Sequence, residues 1–271
     1  MPRVVNTITR PEAIQLDLSI MKRLWCKRRS WQIISGMRQF LQPLFQGRHF
    51  NHSIIILCVR WYITDKLSYR DLVEIMAERG VELAHTTILR WVQDYVPKFE
   101  KRWSKFTRPV GTSWRVDETY IKVRGRWVYL YRAVDKQGLT VDFLLSEHRD
   151  ISAAQLFFTQ AIKQHGPPKK ITVDGYPVTQ TAISELKVEE VLPQSTKVRT
   201  NKYLNNLIEQ DHRRVKQRIY PMLGFKRFKN AAITISGIEL ALQLRKEQFA
   251  TSRVSTSGAR ASEVWDAVLG A

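Results

Sequence analysis

Two cysteines in 271 residues, Cys26 and Cys58, are too few and too scattered for a zinc cluster or a disulfide framework. No apolar run reaches the length of a bilayer span and no signal peptide is evident, so no membrane role is expected and the setting reads as cytoplasmic and reduced. Acidic residues are also scarce. Asp and Glu number 25 against 44 Lys and Arg, a formal charge of +19. A folded protein with that excess repels itself unless a polyanion neutralises it, and nucleic acid is the commonest such partner. An anionic membrane surface is the rival partner. The basic residues run along the whole chain instead of crowding into one tail, and there is no internal repeat. With 44% hydrophobic residues, the chain can still build a core.

Residues 1–43 form a basic N-terminal extension that carries Trp25, Trp31, Ile33 and Ile34. Residues 44–106 read as helices. Ile54 to Ile63 is apolar enough for a buried helix, and Ser68-Tyr69-Arg70-Asp71 resembles a capping box. Leu72, Ile75 and Met76 follow at helical spacing, and Gly80 sits where a C-cap glycine belongs. A further helix places Ile88, Trp91, Val92 and Tyr95 on one face. Pro97 is expected to interrupt or restart it, leaving Lys98 to Phe106 as a basic connector.

From Ser113 the period becomes that of strands. Trp114 to Val123 and Arg126 to Val134 flank Arg124-Gly125 as a tight hairpin, and Leu139 to Leu145 makes a third strand. A helix over Ile151 to His165, a short strand ending at Asp174, a helix around Thr179 to Leu186 and a strand near Val198 come next. Leu204 to Ile219 is a basic helix, and Ala231 to Phe249 another. The order β-β-β-α-β-α-β-α predicts an α/β domain over 107–250, a mixed sheet with helices on its faces. Residues 251–271, rich in Ser, Ala and Gly, read as a flexible tail, although Val264, Trp265 and Val268 are suited to docking.

Three acidic residues sit where their chemistry can meet. Asp117 lies in the first strand, Asp174 closes the fourth, and Glu209 lies on the basic helix after 34 intervening residues. A carboxylate on an apolar strand is costly to bury unless it is paired or metal-bound. Converging carboxylates repel, and hard divalent cations such as Mg²⁺ relieve that repulsion. Two such ions can activate an attacking oxygen and stabilise the leaving oxygen of a phosphodiester. Spacing alone leaves the alternative open that Asp174, before Gly175, is a turn former and that Glu209 is a solvated residue on a charged helix. Strand alternation points Glu118 to the face opposite Asp117.

Longer stretches carry a resemblance. Gly47-Arg48-His49-Phe50, Val59-Arg60-Trp61-Tyr62, Leu67-Ser68-Tyr69-Arg70-Asp71-Leu72, Arg90-Trp91-Val92-Gln93 and Asp117-Glu118-Thr119-Tyr120-Ile121-Lys122-Val123 occur in order. Trp127 to Asp135, Asn205 to His212 and Leu223-Gly224-Phe225-Lys226 follow. Over about residues 45 to 248 the chain resembles bacterial insertion-sequence DDE transposases of the insertion-sequence-six family. The resemblance implies an RNase H-like catalytic domain whose triad is Asp117, Asp174 and Glu209. These three would hold Mg²⁺, with Mn²⁺ as a possible substitute. Lys216 matches the basic residue that such enzymes place two helical turns after the glutamate. The helix itself agrees, since Asn205, His212, Arg213 and Lys216 fall near the Glu209 face, where a cation can hold a DNA phosphate. One departure is the run Asp174-Gly175-Tyr176-Pro177, where family members often carry Lys after the second Asp.

Ser68 to Tyr95 has the dimensions of a helix-turn-helix. Its second helix shows His85, Thr86, Thr87, Arg90 and Gln93 opposite the core face, and Arg and Gln suit guanine and adenine edges. An ordinary helical hairpin is the alternative. The resemblance implies that this region reads the element's terminal inverted repeats, that the reaction is strand cleavage and transfer through replicative cointegrates, and that the protein works as a homodimer or larger homo-oligomer. It also implies a bacterial, nucleoid-associated location. A nuclease of the same fold without strand transfer, and a non-catalytic helix-turn-helix repressor, are the competing expectations.

Overall fold

The computed structural model describes residues 44–200, 206–255 and 259–270; the basic extension 1–43 and Asn205 lie outside the described residues. Three helices open the described chain: α1 (His52–Thr64), α2 (Tyr69–Ala77) and α3 (His85–Trp103). The capping box forms as the motif predicts. Ser68 Oγ accepts from the Asp71 amide at 3.2 Å, and the Asp71 carboxylate accepts from the Ser68 amide at 2.7 Å. Gly80 supplies the positive φ of 72° that ends the α2 turn.

Helix α3 departs from expectation. It runs unbroken through Pro97, and the stretch read as a connector is helical. A proline inside a helix costs about 3 kcal/mol through the lost hydrogen bond and ring clash. Here Val96, Phe99 and Trp103 are completely buried on either side of an exposed Pro97, and that burial outweighs the penalty.

The sheet has five strands: β1 (Ser113–Val123), β2 (Arg126–Val134), β3 (Thr140–Ser146), β4 (Lys170–Val173) and β5 (Lys197–Thr200). Their order is β3-β2-β1-β4-β5. β1, β2 and β3 are antiparallel neighbours, while β4 and β5 run parallel to β1. Arg124 and Gly125, with φ of 54° and 79°, make the two-residue turn that joins β1 to β2. This is the RNase H-like arrangement. One face of the sheet packs α4 (Ile151–His165) and α5 (Pro177–Val188) through Trp114, Val116, Tyr131, Phe157 and Ile183. The other packs α6 (Asn206–Ile219) and α7 (Phe228–Arg245) through Ile121, Leu130, Val215 and Ile235.

Helix α7 belongs to two cores at once. Leu240 and Ala241 join the cluster of α1, α2 and α3, while Ile235, Ile238 and Leu242 face the sheet. Gly237 permits the close approach, since a Cβ there would lie 2.8 Å from Ile63 Cγ2. The helical region is therefore welded to the sheet and not hung from it.

The C-terminal stretch corrects a second expectation. Ala261–Gly270 forms helix α8 instead of a flexible tail. Trp265 is buried against Phe99 and Trp103, with ring centroids 5.5 and 5.3 Å away. Val268 and Leu269 complete a stripe at i+3 and i+4, so the docking expected of Val264, Trp265 and Val268 does occur. Among the described residues no helix is long and apolar enough to cross a membrane.

Candidate active site

β4 is shorter than β1, and this shapes the site. The two strands pair only over Ser113–Arg115 and Lys170–Thr172, so the edge of β1 is open from Arg115 until Val123 bridges Phe225. Asp117 lies on that free edge, and Asp174 follows the last residue of β4. Gly175, with φ of 96°, turns the chain sharply where a side chain would meet Thr200 Cγ2 at 2.9 Å. The Asp174 carboxylate accepts a hydrogen bond from the Tyr176 amide at 3.1 Å, which orients it in the turn.

Glu118 joins them, against expectation. Carboxylate oxygens of Asp117, Glu118 and Asp174 all lie within 4.8 Å of one another. Alternation along β1 does send Asp117 and Glu118 to opposite faces, but with no strand alongside, both side chains reach round the edge. Glu118 accepts from Thr179 Oγ1 at 3.0 Å and pairs with Arg149 at 3.3 Å, so it also ties the start of α5 to β1.

Glu209 stands in the first turn of α6, exposed, outside that tight cluster but lining the same groove. The groove encloses about 520 Å³ between β1 and α6, bounded by Asp117, Glu118, Glu209, His212, Arg213 and Lys216. α6 is fixed in this orientation from its other side. Ile208 and Val215 are buried, and Asp211 pairs with Arg132 on β2 at 2.7 Å. Arg213 and Lys216, at i+4 and i+7 from Glu209, are exposed and line the groove with it.

The electrostatics around Asp117 are those of crowded, partly buried carboxylates. Burial, then the charges of Asp174, Glu118 and Glu209, push the Asp117 pKa up to about 7. Burial also raises Glu118, with Arg149 and Thr179 opposing. His212 Nδ1 lies 3.6 Å from Asp117 Oδ2 but supplies no positive charge, because burial together with Arg132 and Lys216 lowers its pKa to about 3. The clustered oxygen donors of Asp117, Asp174 and Glu118, with Glu209 across the groove, fit a hard divalent cation.

A family described as a DDE domain matches residues 111–248. The transposase for insertion sequence-like element IS431mec of Staphylococcus aureus is 42% identical over 204 residues, covering 75% of this chain and 89% of that protein. The chain belongs to the insertion-sequence-six family of DDE transposases. The transposase for insertion sequence element IS257 in transposon Tn4003, also of Staphylococcus aureus, is 41% identical over the same shares. Among solved structures, the catalytic core domain of BIV integrase is 17% identical with a TM-score of 0.38, covering 51% of this chain and 96% of that one. The protein is thus a polynucleotidyl transferase, and its family implies use of a divalent metal.

The residues expected to read DNA are less uniformly disposed in the transposase. His85, Thr86 and Arg90 are exposed near the start of α3, and Thr87 is half-buried beside them. Gln93 does not share their outlook. Its amide nitrogen donates to Asn230 O and Thr234 Oγ1 on α7, both at 3.4 Å, so it braces two helices and is corrected out of the reading face. Glu118 was hidden from sequence reasoning because the early end of β4 has no signature in β1. His212 was visible only as a neighbour of Glu209; its burial against Asp117 depends on how α6 docks.

Proposed function

We propose that the transposase binds the terminal inverted repeats of its element and catalyses DNA strand cleavage and strand transfer, with Asp117, Asp174 and Glu209 as the catalytic carboxylates. The observation that carries this reading is the meeting of Asp117 and Asp174 at the open edge of β1, in a groove shared with Glu209, Arg213 and Lys216. Mg²⁺, with Mn²⁺ as substitute, would be held by these carboxylates. When bound, such a metal pair lowers the cost of charge on the attacking and leaving oxygens of a phosphodiester.

The chain's own residues supply the rest. Lys216 and Arg213 seat a DNA phosphate at the mouth of the groove and offset the acidic cluster. Glu118, through Thr179 and Arg149, holds the turn that carries Asp174. His212 stays neutral and leaves Asp117 free to ionise for a cation. In the first reaction water adds to phosphorus at the element end and a 3′ hydroxyl leaves. In the second that hydroxyl adds to a target phosphodiester, and one strand bond forms as another breaks. Residues 44–106 serve the recognition of the element ends, with Arg90 and its neighbours on α3 in the major groove. Residues 107–250 carry the chemistry. Two ends must be held together, so a homodimer or larger homo-oligomer is the working form, joining ends into replicative cointegrates beside the bacterial nucleoid.

The test is a joining assay with a labelled duplex carrying the inverted repeat that flanks the coding region, plus a supercoiled target. Joined product with Mg²⁺ or Mn²⁺, abolished by EDTA, is expected. Cleavage without joining would reduce the protein to a nuclease. Specific binding with neither reaction would make it a repressor.

A further inference from the structure

The far half of the β1–β2 hairpin is covered on one face only. Ile121, Val123, Val128 and Leu130 pack beneath α6 and α7. On the other face α4 and α5 stop short, leaving Tyr120 and Trp127 46% and 59% exposed, with Tyr129, opposite Tyr120 on β2, half-buried. Large rings left in water on an ordered strand mark an interaction surface.

These rings form a line with cations set among them. The guanidinium of Arg149 lies 3.6 Å from the centre of Tyr176, two residues beyond Asp174, and 6.0 Å from that of Tyr120. Tyr120 meets Trp127 at 6.3 Å and Tyr129 at 5.9 Å, both edge-on. Lys122 Nζ stands 5.4 Å over the Trp127 ring. Beyond Trp127 the line opens into a groove of about 580 Å³ with Arg124, Arg126, Arg227 and His148 in its walls and Glu147 as the acidic member. The surface therefore starts beside the carboxylate cluster and ends in a basic groove at the hairpin tip.

Charge identifies the partner as a polyanion, and the rings narrow it further. A duplex hides the faces of its bases and offers phosphates, for which arginines alone suffice. Exposed indole and phenol rings interleaved with cations match an unpaired strand, whose bases stack on aromatic faces while its phosphates meet arginine. We propose that this line binds single-stranded DNA leaving the cleavage site, with bases stacked on Tyr120 and Trp127 and phosphates against Arg124, Arg126 and Arg227. The proposal rests on Asp117, Asp174 and Glu209 being the cleavage site, because they set where the strand begins.

The experiment compares two fluorescent probes on the full chain by anisotropy: the blunt inverted-repeat duplex, and the same duplex with a short single-stranded extension at the cleavage end. The extension should tighten wild-type binding by at least about fivefold, the lower bound for one stacked base. Trp127→Ala should bring the two Kd values together, and Trp127→Phe should keep most of the gap. Because the readout is a ratio between probes, a general loss of folded protein leaves it unchanged. Equal wild-type affinity for both probes, or a full gap in Trp127→Ala, overturns the proposal. A full gap combined with altered sedimentation of Trp127→Ala would instead make the patch a contact between copies, and overturns it as well. Joining by the wild type on the blunt duplex is scored separately: joining without a gap removes the strand path alone, whereas absence of metal-dependent cleavage removes the proposed function beneath it.

Discussion

Arg132 and Glu239 form a two-pronged ion pair with no exposed surface on either side chain, at 2.7 and 2.9 Å. Arg132 is the cross-strand partner of Asp117, so the pair lies directly under the candidate active site. The Nη2 of Arg132 that donates to Glu239 also donates to Asp211 at 2.7 Å, and Lys246 holds the same Asp211 oxygen at 2.7 Å. Burial alone would raise the Asp211 pKa, but Arg132 and Lys246 keep it below the ordinary carboxylate range. The sheet, α6 and α7 thus share one buried charge network, and Glu209 sits two residues from its Asp211 corner.

Breaking that network should unfold the protein sooner than it alters chemistry. Arg132→Met leaves Glu239 and Asp211 buried without their main counter-charge, which costs about 3–5 kcal/mol. Urea denaturation followed by circular dichroism measures it. Arg132→Met combined with Glu239→Leu should recover part of the loss, because the stranded carboxylate is gone. A single variant within about 0.5 kcal/mol of wild type would mean the pair contributes nothing net.

Asp142 provides a pH dependence with a fixed sign. It is buried on β3, its Oδ1 accepts from the Phe143 amide at 2.8 Å and from Gln160 at 3.3 Å, and burial pushes its pKa from 3.8 to about 7. The folded state therefore holds a proton that the unfolded state has released. Stability from this residue is greatest below the unfolded value and is lost as pH rises from about 4 to about 7. Asp142→Asn keeps the oxygen acceptor and removes the titration. Urea midpoints at acidic and slightly alkaline pH should show the variant gaining on wild type as pH rises. A constant difference between the two proteins at all pH values would contradict the assignment.

What could be read from the chain alone follows from how local each signal is. The Ser68 capping box, the Arg124-Gly125 hairpin and the strand period from Ser113 depend on neighbours in sequence, and each folds as its residues dictate. Pro97 misled because the burial of Phe99 and Trp103, which overrides it, is contributed partly by Trp265, far along the chain. Gln93 reads as DNA-facing in the sequence because nothing near it announces that α7 lies alongside. At the site, Asp117 is legible as an acid within an apolar strand and Asp174 as one at a strand end. Glu118 is not, because its meeting with them depends on β4 being shorter than β1.

Arg90 tests the placement of the recognition helix. It is exposed on α3, and a base-contacting arginine is worth roughly 1–3 kcal/mol of discrimination. Arg90→Ala should weaken binding to the inverted repeat far more than binding to random duplex, measured by gel shift at one salt concentration. Equal losses on both would make Arg90 a phosphate contact and move base reading elsewhere on the helical region.

Glu209 separates chemistry from binding. It lies on α6 with the exposed Arg213 and Lys216 in the same groove, so its charge opposes a DNA phosphate that these two residues attract. Its helix is held from behind by Asp211 and Val215, and its own side chain is exposed, so replacement should not disturb the fold. Glu209→Gln keeps the shape and removes a negative ligand from the groove it shares with Asp117. Cleavage and joining should fall by orders of magnitude, since metal ions supply several kcal/mol of transition-state stabilisation. Affinity for the inverted-repeat duplex without metal should stay level or rise, because one phosphate-repelling charge has gone. Asp117→Asn and Asp174→Asn should each cause a loss of similar size, and pairs of these substitutions should lose little more than one, because the three act as a unit. Cleavage, joining and gel shift measured side by side, with circular dichroism to confirm folding, give the answer. A folded Glu209→Gln protein that joins strands near the wild-type rate would exclude Glu209 from the triad and leave Glu118, already within 4.8 Å of Asp117 and Asp174, as the third carboxylate.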